Sequence, residues 1–278
     1  MKWGIIVDSG SDLLESFLGL DGIGFESAPL KIITDNKEFI DDASIDIDEL
    51  LTAMKKSAKS SSACPNTAEF HEAMVKYDNC ICVTITGALS GSYNAACVAR
   101  DMIHEEHPEK NIKVIDCRAA AGVMELTAKY AASLIKKGLS FDEIAEMTES
   151  YCRERKISIA LSTYDNLIKN GKMSHIAGLV ASTLGIRAVS TFNENGELVA
   201  KHKVRGEDKA LCAMTGMALT EGGLDGKDIV ITHCKNEAGA EKLIAKLKEQ
   251  WKIKSITVRE SRGLVTYYAM PGGVVLSY

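Results

Sequence analysis

The sequence predicts an α/β protein made of two α/β units, the first around a mainly parallel sheet and the second around a mixed sheet. Three observations carry this. Short unbroken apolar runs (Trp3 to Val7, Cys80 to Ile85, Ile112 to Ile115) are bounded by polar turns, as parallel strands covered on both faces are. Helical patterns separate those runs. In the second half two alternating runs, Ile186 to Phe192 and Glu197 to Val204, flank Asn193-Glu194-Asn195-Gly196, and Asn-Gly is a strong hairpin signal.

The helices of the first half show one-sided apolar stripes. Asp46 to Lys56 carries Ile47, Leu50, Leu51 and Met54 on one face, and Ala68 to Val75 carries Phe70 and Met74. Ser90 to Glu105 follows, then Gly122 to Lys137, which stops at Gly138 after two lysines, a cationic last turn and a glycine beyond it. Ser140-Phe141-Asp142-Glu143 opens the next helix with a capping box. The second half continues with a strand at Ile157 to Leu161 and a short helix at Tyr164 to Ile168. After the hairpin come helices at Asp208 to Leu219 and Ala238 to Trp251, with strands at Asp228 to Thr232, Ser255 to Arg259 and Gly273 to Tyr278. The boundary between units is expected near residue 160, giving segments 1–160 and 161–278, to within about 10 residues. No internal repeat is visible.

Composition excludes several classes. The 278 residues are 46% hydrophobic and 26% charged, with four prolines and no biased tract, so a linker-rich or disordered chain does not fit. The net charge is −5 and no Lys/Arg cluster interleaves with aromatics, so no nucleic-acid partner is expected. The first eight residues lack the apolar run of a secretion signal, and nothing approaches the about 20 apolar residues of a membrane span. No transmembrane segment is expected, any membrane contact is expected to be transient, and the location is expected to be cytoplasmic. The eight cysteines are expected to be reduced and buried, with Cys80 and Cys82 on one face of a strand. His104-Glu105-Glu106-His107 reads as a solvated helix end, and no metal is expected.

Three segments could carry chemistry. Thr84 to Tyr93 runs from an apolar strand through a small-residue turn into a helix, with Ser90 at the helix start. Unpaired amides and a positive dipole end make such a terminus an anion cradle, although a serine there also caps its own helix, and local pattern alone favours the cap. Ser60 to Thr67 reads as a hydroxyl-rich loop that could add a donor to the same anion. Asp8-Ser9-Gly10-Ser11-Asp12 comes after the first strand, where α/β sheets bind ligands, or is a turn with Ser11 or Asp12 capping the next helix.

In order along the chain, these segments resemble the DegV family of bacterial fatty-acid-binding proteins. The matching residues are Asp8-Ser9-Gly10-Ser11-Asp12, Pro29-Leu30 with Phe39-Ile40-Asp41-Asp42, Ser62-Ala63-Cys64-Pro65 with Glu69-Phe70, Leu89-Ser90-Gly91-Ser92-Tyr93, Ile115-Asp116, Gly171-Lys172-Met173, Lys203-Val204-Arg205 and Met270-Pro271-Gly272-Gly273. The resemblance implies a non-catalytic carrier that holds a long-chain fatty acid between its two units, with no cofactor. It places the carboxylate at Ser62, Ser90 and Gly91, with further polar contacts from Ser92 and Tyr268. It also implies a fatty acid kinase partner that converts the bound acid to an acyl phosphate, with Arg205 in the region of that encounter. Three departures stand out: Ser62 where the family has Thr, Lys172 for Arg, and Tyr268 for a His. Tyrosine donates a hydrogen bond but offers no imidazolium charge.

Burying a long tail, at about 0.8 kcal/mol per CH₂, is a large driving force, and the carboxylate then needs donors. Two hydroxyls and helix amides could supply them without a lysine or arginine. Ile85, Phe70, Leu161, Ile176 and Leu184 are candidates for the tunnel wall, each equally at home as plain core. The alternative is an acyl- or phosphoryl-transfer enzyme with Ser90 as nucleophile, which needs a base beside it. A sensor that reads lipid occupancy is a third reading.

Overall fold

The computed structural model describes residues 2–15, 22–173 and 185–278. The first sheet is parallel throughout, in the order β2 (Ile23–Ala28), β1 (Trp3–Asp8), β6 (Asn79–Thr84), β7 (Asn111–Asp116). Its central strands read as apolar runs because both faces are covered. Ile5, Val7, Ile81 and Val83 point to one side, into a cluster with α4 (Gly122–Lys136). Ile6, Cys80 and Cys82 point to the other, against α2 (Thr67–Met74) and α3 (Ser92–Glu106). Phe70 belongs to this second cluster, and so is core beneath α2.

A small antiparallel sheet follows in the order β4 (Glu38–Ile40), β3 (Lys31–Thr34), β5 (Ser60–Ala63), with α1 (Ile47–Lys56) inserted before β5. The hydroxyl-rich segment expected as a loop is therefore a strand. Serine favours turns locally, but pairing of Ser60–Ala63 with β3 supplies the backbone partners, and Ser62 lies opposite Ile32. Helix α5 (Phe141–Glu154) starts with the expected capping box: Ser140 Oγ accepts from the Glu143 amide and Glu143 reaches back to the Ser140 amide.

The second sheet is mixed and six-stranded: β10 (Leu198–Arg205), β9 (Ile186–Phe192), β8 (Ile157–Ala160), β13 (Val274–Ser277), β11 (Asp228–His233), β12 (Ser255–Glu260). Only β11 and β12 run parallel. Helices α6 (Asp165–Lys169), α7 (Glu207–Thr220), α8 (Glu237–Gln250) and α9 (Gly263–Ala269) complete the described chain. Helix α9 was not foreseen; seven residues with no polar stripe leave little periodicity to detect. The β9–β10 hairpin turns at Gly196, with φ at +78°, and the Gly196 carbonyl accepts from Thr86 Oγ1 at 2.8 Å, pinning its tip to the turn after β6.

Helix α4 is the layer between the two larger sheets. The main core cluster runs from β1 and β6 through Ala128 and Ala131 to Ile157, Ile159 and Val275. A Cβ on Gly122 would meet Val230 Cβ at 2.6 Å, so close packing of α4 on the second sheet requires glycine there. Five cysteines, Cys80, Cys82, Cys117, Cys152 and Cys234, are buried and free; Cys97 is half-buried, and Cys64 and Cys212 are exposed, against expectation. Cys64 is exposed because it stands where β5 ends at the rim of a cavity.

Candidate functional site

In the order β2-β1-β6-β7 the chain reverses direction of winding between β1 and β6, and ligands of open α/β sheets bind at the carboxyl ends of strands flanking such a point. Those ends carry Asp8 and the turn from Ile85 to Gly91. Asp8 joins them: Oδ2 accepts from the Ile85 amide at 2.8 Å and Oδ1 from the Gly10 amide at 3.0 Å. Asp8 thus caps the Ser9–Ser11 turn, and Ser11 Oγ accepts from the Leu13 amide at 3.2 Å; the helix that Ser11 or Asp12 was expected to cap falls on a segment of which residues 16–21 lie outside the described residues. Complete burial pushes the Asp8 carboxyl up to about 7 despite these amides and the Ser92 hydroxyl. The rest of the turn is tied as firmly. Asp116 accepts from the Gly87 amide at 3.1 Å, and the Leu89 and Ser90 amides donate to the Thr86 carbonyl.

Helix α3 begins at Ser92, with Gly91 at the cap position and no side-chain cap, so Ser90 lies one residue before the cap. Its Oγ accepts from the Ser92 amide at 3.3 Å and sits 3.0 Å from Ser92 Oγ. Ser92 itself is fully buried beneath Ser90 and reaches Asp8.

Beside this turn lies a cavity of about 390 Å³, within the about 300–1,000 Å³ range of small-molecule sites. Most of its wall is apolar: Leu30, Ile85, Leu89, Ala120 and Ala121, then Ile157, Ile159, Leu161, Leu167, Phe192, Leu198, Leu264, Val265, Ala269 and Val275. Ile85 and Leu161, named from the sequence, are in this wall; Ile176 and Leu184 lie outside the described residues.

The polar lining residues include Ser62, Cys64, Ser90, Lys172 and Tyr268. Ser62 Oγ is 2.8 Å from Tyr268 OH. Two residues on, Cys64 Sγ would lie 2.9 Å from a Cβ on Gly91, so the β5 rim and the Ser90–Gly91 turn are in contact. Lys172 completes the group, its ammonium donating to the Leu89 carbonyl. Burial pushes the Tyr268 phenol up to about 12, so it stays a neutral donor through the physiological range. The structure thus brings Ser62, Ser90, Gly91 and Tyr268 to one cavity. It leaves Ser92 behind the wall, and places Arg205 exposed at the end of β10, outside the lining.

Sequence reasoning missed Lys172 as a lining residue. Its position in Gly171-Lys172-Met173 was visible, but only folding carries that segment across to the Leu89 carbonyl. It also gave Cys64 no role. Among the described residues no histidine, aspartate or glutamate lines the cavity, no group of three or more His, Cys, Asp or Glu could hold a metal ion, and no helix is long and apolar enough to cross a membrane.

Against known proteins, the model of the uncharacterised DegV family, COG1307, matches residues 2–278. The chain belongs to the DegV family. Among its DegV relatives, a DegV domain-containing protein of Streptococcus pyogenes serotype M1 is 36% identical over 279 residues, covering 100% of this chain and 99% of that protein. One from Streptococcus gordonii is 37% identical over 280 residues at the same coverage. Among solved structures, the fatty acid kinase B3 protein of Streptococcus pneumoniae loaded with linoleic acid is similar with a TM-score of 0.95 at 36% identity, covering 100% of this chain and 99% of that one. A DegV family protein of Eubacterium eligens loaded with heptadecanoic acid gives 0.92 at 33% identity, covering 99% and 98%.

Proposed function

We propose that this DegV protein is a non-catalytic carrier that binds a long-chain fatty acid with its tail in the apolar cavity and its carboxylate against Ser62, Ser90, Gly91 and Tyr268. The observation that carries the reading is the set of polar side chains, Ser62, Ser90, Lys172 and Tyr268, in an otherwise apolar wall. A carboxylate leaving water needs charge-assisted hydrogen bonds, and this group offers three hydroxyls. Lys172 adds a cation beside the Ser90 turn, so the headgroup site does not rest on hydroxyls and amides alone. Relatives solved with linoleic and heptadecanoic acid support the ligand class.

The likeness to a fatty acid kinase B protein supports a kinase partner that phosphorylates the presented carboxylate. Arg205, exposed at the end of β10, is the proposed partner contact, and a cytoplasmic location follows from that partnership. A Ser90 nucleophile is disfavoured because its Oγ bonds only to Ser92 among the described residues, and no histidine or carboxylate among them lines the cavity.

Native mass spectrometry of gently purified protein tests the ligand: a co-purified fatty acid of intact mass is expected, and an empty protein or a covalent adduct on Ser90 would refute the reading. Ser62→Ala with Ser90→Ala should then weaken palmitate binding, because hydrogen bonds to a charged group are each worth about 1.5–3 kcal/mol. Unchanged affinity in the folded double variant would refute the site.

A further inference from the structure

Helix α9 is one wall of the cavity, contributing Leu264, Val265, Tyr268 and Ala269. Nothing in its own sequence caps it: Arg262, at the cap position, makes no side-chain cap bond. Its first amides are instead satisfied from the distant first unit. Arg262 N donates to Asp12 Oδ1 and Leu264 N to Asp41 Oδ2, each at 2.8 Å, across 250 and 223 residues of chain. Asp12 follows β1 and Asp41 follows β4; both are at most 3% exposed. A Cβ on Gly263 would meet Asp41 Cγ at 2.4 Å, so this carboxyl is pressed onto the helix backbone. Each carboxyl also has one buried oxygen, Asp12 Oδ2 and Asp41 Oδ1, without a hydrogen-bond partner. Native proteins seldom leave such atoms unpaired.

Burial disfavours ionisation of both carboxyls, and the charge of Asp41 adds to the cost at Asp12. We propose that Asp12 and Asp41 are positioning residues of the lipid site, which take up protons as α9 seats and clamp it, and with it Tyr268, so that the clamp tightens as the surroundings acidify. This rests on the lipid-binding reading for its consequence, while the clamp itself stands on the hydrogen bonds above.

Burial pushes Asp41 up to about 6 and Asp12 well above the ordinary carboxyl range; the Leu264 amide and the Ser9 hydroxyl pull Asp41 partly back. The charged groups facing the pair are few. Asp8, at the end of β1, and Asp41 oppose each other's ionisation, and Glu125 from α4 opposes that of Asp12. Glu125 is itself held by Arg259 and Lys129. Arg262 favours ionisation, its guanidinium donating to the Asp42 carbonyl. From other elements packed on α9, Lys31 of β3 is engaged by Glu38 and Glu69, and Asp48 of α1 by Lys235.

The sign follows from linkage. With α9 lifted, the carboxyls meet water and lose protons at ordinary values near 3.9. With α9 seated, Asp41 keeps its proton up to about pH 6. Seating therefore takes up protons and is favoured as pH falls, by about tenfold between pH 8 and 5 for Asp41 alone.

The test is hydrogen–deuterium exchange on the full lipid-free chain, reading the amides of Arg262 to Leu264 at pH 8 and pH 5, corrected for intrinsic exchange. Protection is expected to rise at least tenfold towards pH 5 in the wild type and by about tenfold less in Asp41→Asn, which keeps an acceptor oxygen but cannot titrate. Protection that stays level or falls, or an undiminished rise in Asp41→Asn, overturns the clamp. If that variant fails to fold, Asp12→Asn carries the same test. On the lipid side, palmitate transfer to albumin should slow between pH 8 and 5 in the wild type more than in the variant; equal slowing overturns the positioning role. A protein that binds no palmitate at any pH refutes the lipid reading, and with it the positioning role, while the exchange data still decide whether the carboxyls clamp α9.

Discussion

The Ser62 hydroxyl lies 2.8 Å from the phenolic oxygen of Tyr268, between residues 206 positions apart. That contact joins strand β5 of the small antiparallel sheet to helix α9 at the cavity wall. A parallel contact, Ser60 Oγ to Tyr267 OH at 3.1 Å, sits one strand repeat away. The two tyrosines are therefore held by alternate serines of one strand, and only Ser62 and Tyr268 face the cavity.

Tyr268→Phe keeps the ring and removes the donor. Stability should fall by about 0.5–1.5 kcal/mol, the net worth of a neutral hydrogen bond, and palmitate affinity by roughly tenfold or more, since a bond to a charged group is worth more. Titration calorimetry beside thermal unfolding separates the two effects. Full affinity in the folded variant would remove Tyr268 from the headgroup site.

At Gly91 a side chain would press on the Cys64 sulfur at 2.9 Å. Gly91→Ala should therefore shift the β5 rim and weaken fatty-acid binding, while Cys64→Ala in the same chain should restore much of the loss. A binding double-mutant cycle reads the coupling; two independent effects that simply add would show that the contact does not shape the site.

Glu125 on α4 is only 1% exposed, and Arg259 of β12 grips it with two bonds of 3.1 and 3.0 Å. Removing one partner of a buried pair leaves an uncompensated charge, so Arg259→Met should cost about 3–5 kcal/mol. Urea unfolding measures it, and Glu125→Leu added to Arg259→Met should regain part of the stability. A cost under about 1 kcal/mol, the scale of an exposed pair, would mean that Lys129 alone suffices for Glu125.

Asp8, fully buried with its carboxyl pushed up to about 7, predicts a pH dependence of folding. Between about pH 4 and 7 the native chain keeps a proton that the unfolded chain has released, so stability falls as pH rises through this window. Asp8→Asn should flatten the change in urea midpoint between pH 5 and 8. A wild-type midpoint that climbs over that range would contradict the burial argument.

The parallel strands and long helices could be read from the chain because their signals are local. Ile5 to Val7 and Cys80 to Val83 are apolar without a break since both faces of the sheet are covered, and Ser140 with Glu143 announces a helix start within four residues. The resemblance to the DegV family pointed to Ser62, Ser90, Gly91 and Tyr268, which the fold brings to one cavity. Strand β5 was unreadable, because three consecutive serines carry no apolar alternation and the partner, β3, lies some 30 residues away.

Residue pattern alone thus established the α/β class, the parallel core of the first unit, the hairpin at Gly196 and the hydroxyl turn before α3. Folding added what depends on distance through space rather than along the chain: Lys172 beside Leu89, Cys64 against Gly91, and Asp12 and Asp41 seating a helix more than two hundred residues downstream. The physical reason is that periodicity and capping act within a few residues, whereas a buried carboxyl and the amides it satisfies become neighbours only once the sheets have packed.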